Sequence, residues 1–111
     1  MATQRITVIY PNKDGSKFDF DYYMQKHIPW VAKLFGTSIE VRRGISAPDS
    51  SAAPYVCIAA IAASIADFEA LFAKHGQEIL ADVKNYTNIE PEVQFDEVLE
   101  GRETPALKAA C

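Results

Sequence analysis

The sequence has few of the features that mark secreted, membrane or disulfide-rich chains. Only two cysteines occur in 111 residues, Cys57 and the final Cys111, so a disulfide framework is not expected. The longest apolar run, VCIAAIAASIA, ends at Asp67 after about half the length of a membrane span. The opening MATQRITVIYPNK alternates like a strand and lacks the basic and apolar regions of a signal peptide. These absences favour a cytoplasmic protein that does not contact a membrane.

A basic stripe is also missing. The net charge is −4, and the lysines and arginines are scattered among acids, so nucleic acid is not expected as a partner. No Gly-rich phosphate loop supports a nucleotide or flavin cofactor. The two histidines, His27 and His75, lie on separate predicted elements without local cysteine or carboxylate spacing, so no metal site is expected.

Alternation and helical spacing predict six elements. Strands are expected at 5–10, 38–46, 55–63 and 89–99. A first helix should begin after Asp19 and continue past a kink at Pro29 to Gly36. A second should begin after Ser64 and end or kink near Gly76. This order predicts an α+β fold, the ferredoxin-like βαββαβ plait, with a four-stranded antiparallel sheet and both helices on one face. We assign residues 1–101 to this single domain and 102–111 to a C-terminal tail.

The strand YVCIAAIA is apolar on both faces, which is typical of a strand that is covered on both sides. In the plait, one face of the sheet has no helices, so Val56, Ile58 and Ile61 would be uncovered there. Packing of two such sheets in a two-fold homodimer is the simplest way to cover them.

Aromatic residues and a histidine are concentrated in FDFDYYMQKHIPWV, residues 18–31. Helical spacing aligns Phe20, Tyr23 and His27 on the face that looks at the sheet, and Tyr22 and Trp30 flank it. A cleft there suits a small apolar or aromatic molecule. Because an imidazole titrates near neutral pH, His27 is the candidate general acid or base.

The alternative is structural. His27 would then cap carbonyl groups at the kink, while Tyr23 packs its ring in the core. Tyr86 begins the last predicted strand and is placed to reach the mouth of the cleft, although a local hydrogen bond of a turn hydroxyl explains it equally well.

The run VIYPNKDGSKFDFDYYMQKHIPWV resembles the opening signature of EthD-domain proteins, named for ethyl tert-butyl ether degradation. YTNIEPEVQFDEVL is similar to the closing strand of that family. The resemblance implies a dimeric α/β barrel and a functional His27. We expect ligand contacts from Tyr10, Tyr22, Tyr23, Trp30 and Tyr86. Trp30 departs from the family pattern, in which a smaller Leu is commoner, and its bulk would change the pocket.

The resemblance implies an oxidoreductase-type enzyme or an accessory of an oxidative degradation pathway. The related barrel superfamily includes cofactor-independent monooxygenases, so no cofactor is expected, and proton transfer by one histidine in a dry pocket would serve that chemistry. Some members of the superfamily bind haem, and an imidazole can ligate its iron, so haem stays open. The competing hypothesis is a noncatalytic dimer that binds a ligand or steadies an oxygenase partner.

Overall fold

The computed structural model describes residues 3–99. Its strands are β1 (Thr3–Pro11), β2 (Ile39–Arg43), β3 (Tyr55–Ile61) and β4 (Glu92–Val98). Its helical elements are α1 (Phe20–Tyr22), a π-helical turn (Tyr23–His27), α2 (Ile28–Phe35) and α3 (Ile65–Val83). The strand order is β2-β3-β1-β4 with antiparallel neighbours, which confirms the ferredoxin-like plait. The predicted tail, 102–111, lies outside the described residues.

The strand register gives the sheet one apolar face against the helices. Ile6 lies opposite Ile61 and Phe95, and Tyr10 lies opposite Cys57. These central residues are buried, except for Phe95 on the edge strand β4. Ile61 is buried on this face, so the expectation that it would share the uncovered face with Val56 and Ile58 is wrong. Alternation from Cys57 along β3 puts the odd-numbered residues under the helices.

Side chains cap the helices where the sequence predicted. The Asp19 carboxylate accepts a hydrogen bond from the Tyr22 N–H, and the Ser64 hydroxyl accepts one from the Asp67 N–H. Gly36 ends α2 in the left-handed conformation, with φ of 69°.

The first helical region runs without interruption from Phe20 to Phe35, with a π-helical turn that ends at His27. The kink at Pro29 stays a prediction. Ile28 keeps right-handed helical angles, and its N–H bonds to the Tyr23 carbonyl five residues back. Pro29 lies in the first turn of α2, where its missing N–H is tolerated. The wider π turn before it accommodates the proline without a break. Such turns occur often at functional sites.

Gly76 does not end α3, because the helix continues for seven more residues to Val83. A Cβ at Gly76 would lie 2.7 Å from the Phe72 ring. An alanine at this position would therefore force the Phe72 ring to shift. No helix in the described range is long and apolar enough to span a membrane.

Candidate functional site

His27 lies at the end of the π turn, between the helices and the sheet, and is 5% exposed. The Tyr23 ring stacks on it at 5.5 Å between centroids and 14° between planes. The Tyr86 ring contacts it at 4.8 Å, and Trp30 meets it edge-on at 6.0 Å. Three aromatic rings thus fix the orientation of the imidazole and exclude most water from it.

The His27 Nδ1 atom lies 2.8 Å from a carboxylate oxygen of Asp82, which comes from α3. Because an ionised carboxylate only accepts hydrogen bonds, Nδ1 carries the proton and donates it. Nε2 then carries the lone pair of the ring. The described hydrogen bonds of the His27 imidazole go to side chains, so the predicted capping of backbone carbonyl groups is not seen. Tyr23 packs its ring in the buried core, as the structural alternative predicted.

Asp82 is held by more than the histidine. The Tyr22 hydroxyl donates to its other oxygen at 2.7 Å, and the Asn85 amide donates to that same oxygen at 2.9 Å. Partial burial pushes the pKa of Asp82 upward, but the hydrogen bonds from Tyr22, His27 and Asn85 outweigh this effect and hold it below its ordinary value. The carboxylate is thus ionised and fixed at neutral pH.

Burial is the largest influence on His27 and lowers its pKa, while the hydrogen bond and charge of Asp82 oppose the effect. The net pKa lies below the ordinary value of 6.5. At neutral pH the imidazole is therefore uncharged, and its Nε2 is available as a base.

Two buried phenols, Tyr86 and Tyr10, extend the chain of polar contacts that begins with Asp82 and His27. The Tyr86 hydroxyl lies 3.4 Å from Nε2, which is long for a hydrogen bond. The Tyr10 and Tyr86 hydroxyls lie 2.7 Å apart. Burial raises the pKa of Tyr10 to about 12 and raises the pKa of Tyr86 further. Both phenols stay protonated and act as hydrogen-bond donors.

A small apolar cavity of about 70 Å³ lies beside these polar atoms, between the helices and the sheet. Tyr10, Tyr23, His27 and Tyr86 line one part of it. The remaining walls are aliphatic and phenyl groups, among them Val8, Val31, Phe68, Phe72, Leu80 and Val93. Leu80 and Val93 are 52% and 48% exposed, so the cavity reaches the surface between α3 and β4.

The predicted ligand contacts fall into two groups. Tyr10, Tyr23 and Tyr86 line the cavity together with His27. Tyr22 and Trp30 are not among the lining residues: Tyr22 bonds Asp82, and Trp30 contacts the outer edge of the imidazole. Tyr86 lies in the turn after α3, not in the last strand as predicted.

Asp82 and Asn85 were missed by the sequence reasoning. Asp82 is 55 residues from His27, and only the plait topology brings α3 beside the π turn. A local signal was present, because Ile79, Val83 and Tyr86 follow one helical face of α3 and the turn after it. A carboxylate next to that face, and four residues before Tyr86, was a candidate partner for a buried histidine.

His75 lies in the middle of α3, because the helix continues past Gly76. Its Nδ1 is 3.5 Å from Glu78, a largely exposed side chain. The imidazole lines a surface groove instead of the cavity.

The described residues do not fit a metal or haem at His27. Within residues 3–99, no three His, Cys, Asp or Glu side chains are grouped to hold a metal ion. Tyr86 covers the His27 Nε2 atom, and a cavity of about 70 Å³ is far too small for a porphyrin. The haem alternative therefore finds no support in this geometry.

Comparisons with known proteins agree on one family. Residues 13–90 match the EthD domain. An EthD-like protein of known structure from Ralstonia eutropha JMP134 is 32% identical, with a TM-score of 0.82 over 92% of this chain and 96% of that one. An ethyl tert-butyl ether d (EthD) family protein of known structure from Bacillus halodurans C-125 is 16% identical to this chain. Its TM-score is 0.66 over 89% of this chain and 100% of its own, and this likeness concerns the fold alone. No curated protein matches the chain.

Proposed function

Because the chain belongs to the EthD domain family, we propose that it is an oxidoreductase-type enzyme, or an accessory, of an oxidative degradation pathway. Its chemical step is a proton transfer between His27 and a small apolar molecule in the cavity. The family supports the oxidative context. The proton step is supported by the geometry around His27.

One observation carries the proposal: a neutral imidazole, held at Nδ1 by a carboxylate, lines an apolar cavity. The Asp82 carboxylate accepts a hydrogen bond from the Nδ1–H group at 2.8 Å, which leaves Nε2 as the proton acceptor. When Nε2 takes a proton, Asp82 stabilises the resulting imidazolium. The ring contacts of Tyr23 and Tyr86 keep the nitrogen in place, so little reorganisation is needed.

A ligand screen tests this function. Small ketones, phenols and quinols would be added to the wild type, His27→Gln and His75→Gln, and thermal stability would be measured. His75→Gln is the matched control, because it removes the other imidazole. We expect at least one compound to stabilise the wild type and the control, but much less His27→Gln. Oxygen uptake with that compound then measures turnover.

The outcomes separate three roles for His27. Turnover in the wild type that His27→Gln loses supports the enzyme. Binding without turnover in either protein would support the noncatalytic ligand-binding alternative. If His27→Gln binds and turns over as well as the wild type, His27 is not the acid–base group and the proposal fails.

We also propose that two copies pack through the uncovered face of the sheet. Ile9 and Ile58 lie opposite each other on the central strands of that face, and Val56 extends the apolar surface along β3. Burying these side chains against a second copy would remove apolar area from water. The same arrangement is expected from the family resemblance.

Light scattering after size exclusion tests the dimer. Ile58→Lys should convert the dimer to a monomer, because a lysine charge would be buried in the contact. Leu80→Lys is the control, since Leu80 is half-exposed on the helix side of the sheet. A wild-type monomer, or a dimer that survives Ile58→Lys and not Leu80→Lys, would contradict the proposed contact.

A further inference from the structure

We infer that the Tyr10–Tyr86 phenol pair is a binding site for the oxygen of an enolate or phenolate, formed when a neutral acid gives its proton to His27. The inference rests on the proposed function, since it names the substrate class and the residues that receive the anion. The hydrogen-bonded line from Asp82 through His27 and Tyr86 to Tyr10 carries it.

The direction of each hydrogen bond follows from the carboxylate. Asp82 can only accept, so His27 donates from Nδ1 and accepts at Nε2. The phenol next to Nε2 must then be the donor, and Tyr86 donates to it. Tyr10 in turn donates to the Tyr86 oxygen. Without a ligand, every donor in this line has an acceptor.

The weakest bond of the line is the one that a substrate would replace. Tyr86 and Nε2 are 3.4 Å apart, whereas the other two bonds are 2.7 and 2.8 Å. A ligand oxygen entering beside Nε2 can accept the Tyr86 proton in place of the imidazole. The acidic proton of the ligand then faces the free lone pair of Nε2.

The proton transfer balances within the site. The O–H or C–H bond of the acid breaks, and its electron pair stays on the substrate as the enolate or phenolate. The proton binds Nε2, which makes His27 an imidazolium whose Nδ1 proton still bonds Asp82. Tyr86 donates to the new anion, and Tyr10 donates to Tyr86, which strengthens the first bond. Both phenols remain neutral throughout.

The walls of the cavity explain why the substrate must enter uncharged. No lysine, arginine, carboxylate or amide is among its described lining residues. A permanent anion such as a phosphate ester or carboxylate would therefore be buried without a counter-charge, which is costly. An anion formed inside is matched by the imidazolium that forms with it. Phenols, enols and 1,3-dicarbonyl compounds meet this requirement.

The size of the cavity adds a second requirement. Its volume of about 70 Å³ is roughly half of the 150 Å³ cavity that is known to hold benzene. A ring-sized ligand therefore needs Leu80 and Val93 to move outward. Both side chains are about half-exposed, so solvent is available to receive them. Leu80→Ala should widen the opening of the cavity without changing the hydrogen bonds among Asp82, His27, Tyr86 and Tyr10.

Binding of 4-nitrophenol tests the inference, since its phenolate absorbs visible light and its neutral form does not. The probe would be titrated at a pH below its own pKa. The proteins are the wild type, Leu80→Ala, Tyr86→Phe, Tyr10→Phe and His27→Gln, each also measured by calorimetry for binding. Tyr55→Phe is the matched control, because Tyr55 lies exposed at the start of β3.

We expect the wild type, or Leu80→Ala if Leu80 blocks the ring, to bind the probe as the phenolate. Tyr86→Phe in the same background should lower the acid dissociation constant of the bound probe by about tenfold, because one charge-assisted hydrogen bond is lost. Tyr10→Phe should have a smaller effect in the same direction. Tyr55→Phe should leave the constant unchanged.

Other results overturn the inference. Binding of the neutral probe, no binding to the wild type or Leu80→Ala, or an unchanged constant in Tyr86→Phe would each exclude an anion site at the phenol pair. His27→Gln separates the two proposals. If it alone loses the phenolate band, while Tyr86→Phe keeps it unchanged, His27 is the base and the phenol pair is not the anion site. If His27→Gln keeps the band and Tyr86→Phe weakens it, the proposed role of His27 fails.

Discussion

The two histidines of the chain occupy opposite kinds of environment. His27 is 5% exposed, is enclosed by three aromatic rings and bonds a carboxylate at 2.8 Å. His75 lies in the middle of α3 and faces the largely exposed carboxylate of Glu78 at 3.5 Å. Each histidine has an acidic partner, so a nearby carboxylate alone does not define a site. What differs is how firmly the partner is held and how little water reaches the ring.

The carboxylate partners differ as much as the histidines. Asp82 receives two further hydrogen bonds, from Tyr22 and Asn85, whereas Glu78 has no such network among the described hydrogen bonds. A carboxylate that is held by further hydrogen bonds stabilises one tautomer of the imidazole. This difference is the reason why the proposed proton transfer is placed at His27.

Removal of the Asp82 carboxylate should destabilise the fold much more than removal of the Glu78 carboxylate. This is the largest difference that we expect between the two histidine sites. Asp82→Ala breaks three hydrogen bonds around a buried imidazole and should lower the free energy of unfolding by about 2 to 4 kcal/mol. Glu78→Ala breaks an exposed pair and should change it by less than about 0.5 kcal/mol. Urea denaturation of both variants checks this. Equal losses would mean that the two pairs are equivalent.

A substitution at Gly76, the residue after His75, should weaken ligand binding in the cavity beside His27. Gly76→Ala would place a methyl group 2.7 Å from the Phe72 ring, which lines the cavity, and so push the ring into it. We expect the affinity for a cavity ligand to fall by about tenfold, measured by calorimetry. Ala73→Ser, on the exposed side of the same helix, is the control. Unchanged affinity in Gly76→Ala would show that Phe72 relaxes elsewhere.

The pH dependence of stability should identify His27 and not His75. The folded pKa of His27 lies below 6.5, so the unfolded chain binds the proton more readily. The free energy of unfolding should therefore fall as pH drops from about 6.5 toward that lowered pKa. The lowered pKa of Asp82 adds a second loss, below 3.8. In His27→Gln, the fall in the free energy of unfolding just below pH 6.5 should disappear, whereas in His75→Gln it should remain. If His27→Gln still shows this fall, His27 is not its cause.

The smallest effect is expected at the N-cap of α3, because Ser64 stabilises the helix without contacting either imidazole. Ser64→Ala removes the hydroxyl that accepts from the Asp67 N–H at 3.0 Å. It should cost about 1 kcal/mol in thermal or urea unfolding, and the ligand affinity at His27 should not change. A loss of ligand binding would show that the start of α3 positions the cavity more directly than its contacts indicate.

Local patterns in the sequence were sufficient for most of the fold. Alternation predicted the first strand, and Asp19 and Ser64 marked the helix starts, because these signals depend on neighbouring residues only. The π turn was missed, since a proline signals strain but not how the chain relieves it. Tyr86 was predicted to begin the last strand, whereas it lies in the turn after α3, because β4 starts only at Glu92.

The candidate site was only half visible in the sequence. His27 and its aromatic neighbours are close in sequence, so helical spacing was enough to group them. Asp82 comes from an element 55 residues away, and its contact depends on how α3 crosses the sheet. The cavity volume depends on the packing of Phe72, Leu80 and Val93, which no pattern in one sequence determines.

The central claim is that His27 is a neutral base whose proton is on Nδ1. Two-dimensional NMR of the ¹⁵N-labelled imidazoles, followed from pH 8 to pH 4, measures the tautomer and the pKa together. The account predicts that His27 carries its proton on Nδ1 at neutral pH and titrates below 6.5, and that Asp82→Asn removes the preference for this tautomer. A proton on Nε2, or a pKa above the ordinary value, would contradict the account.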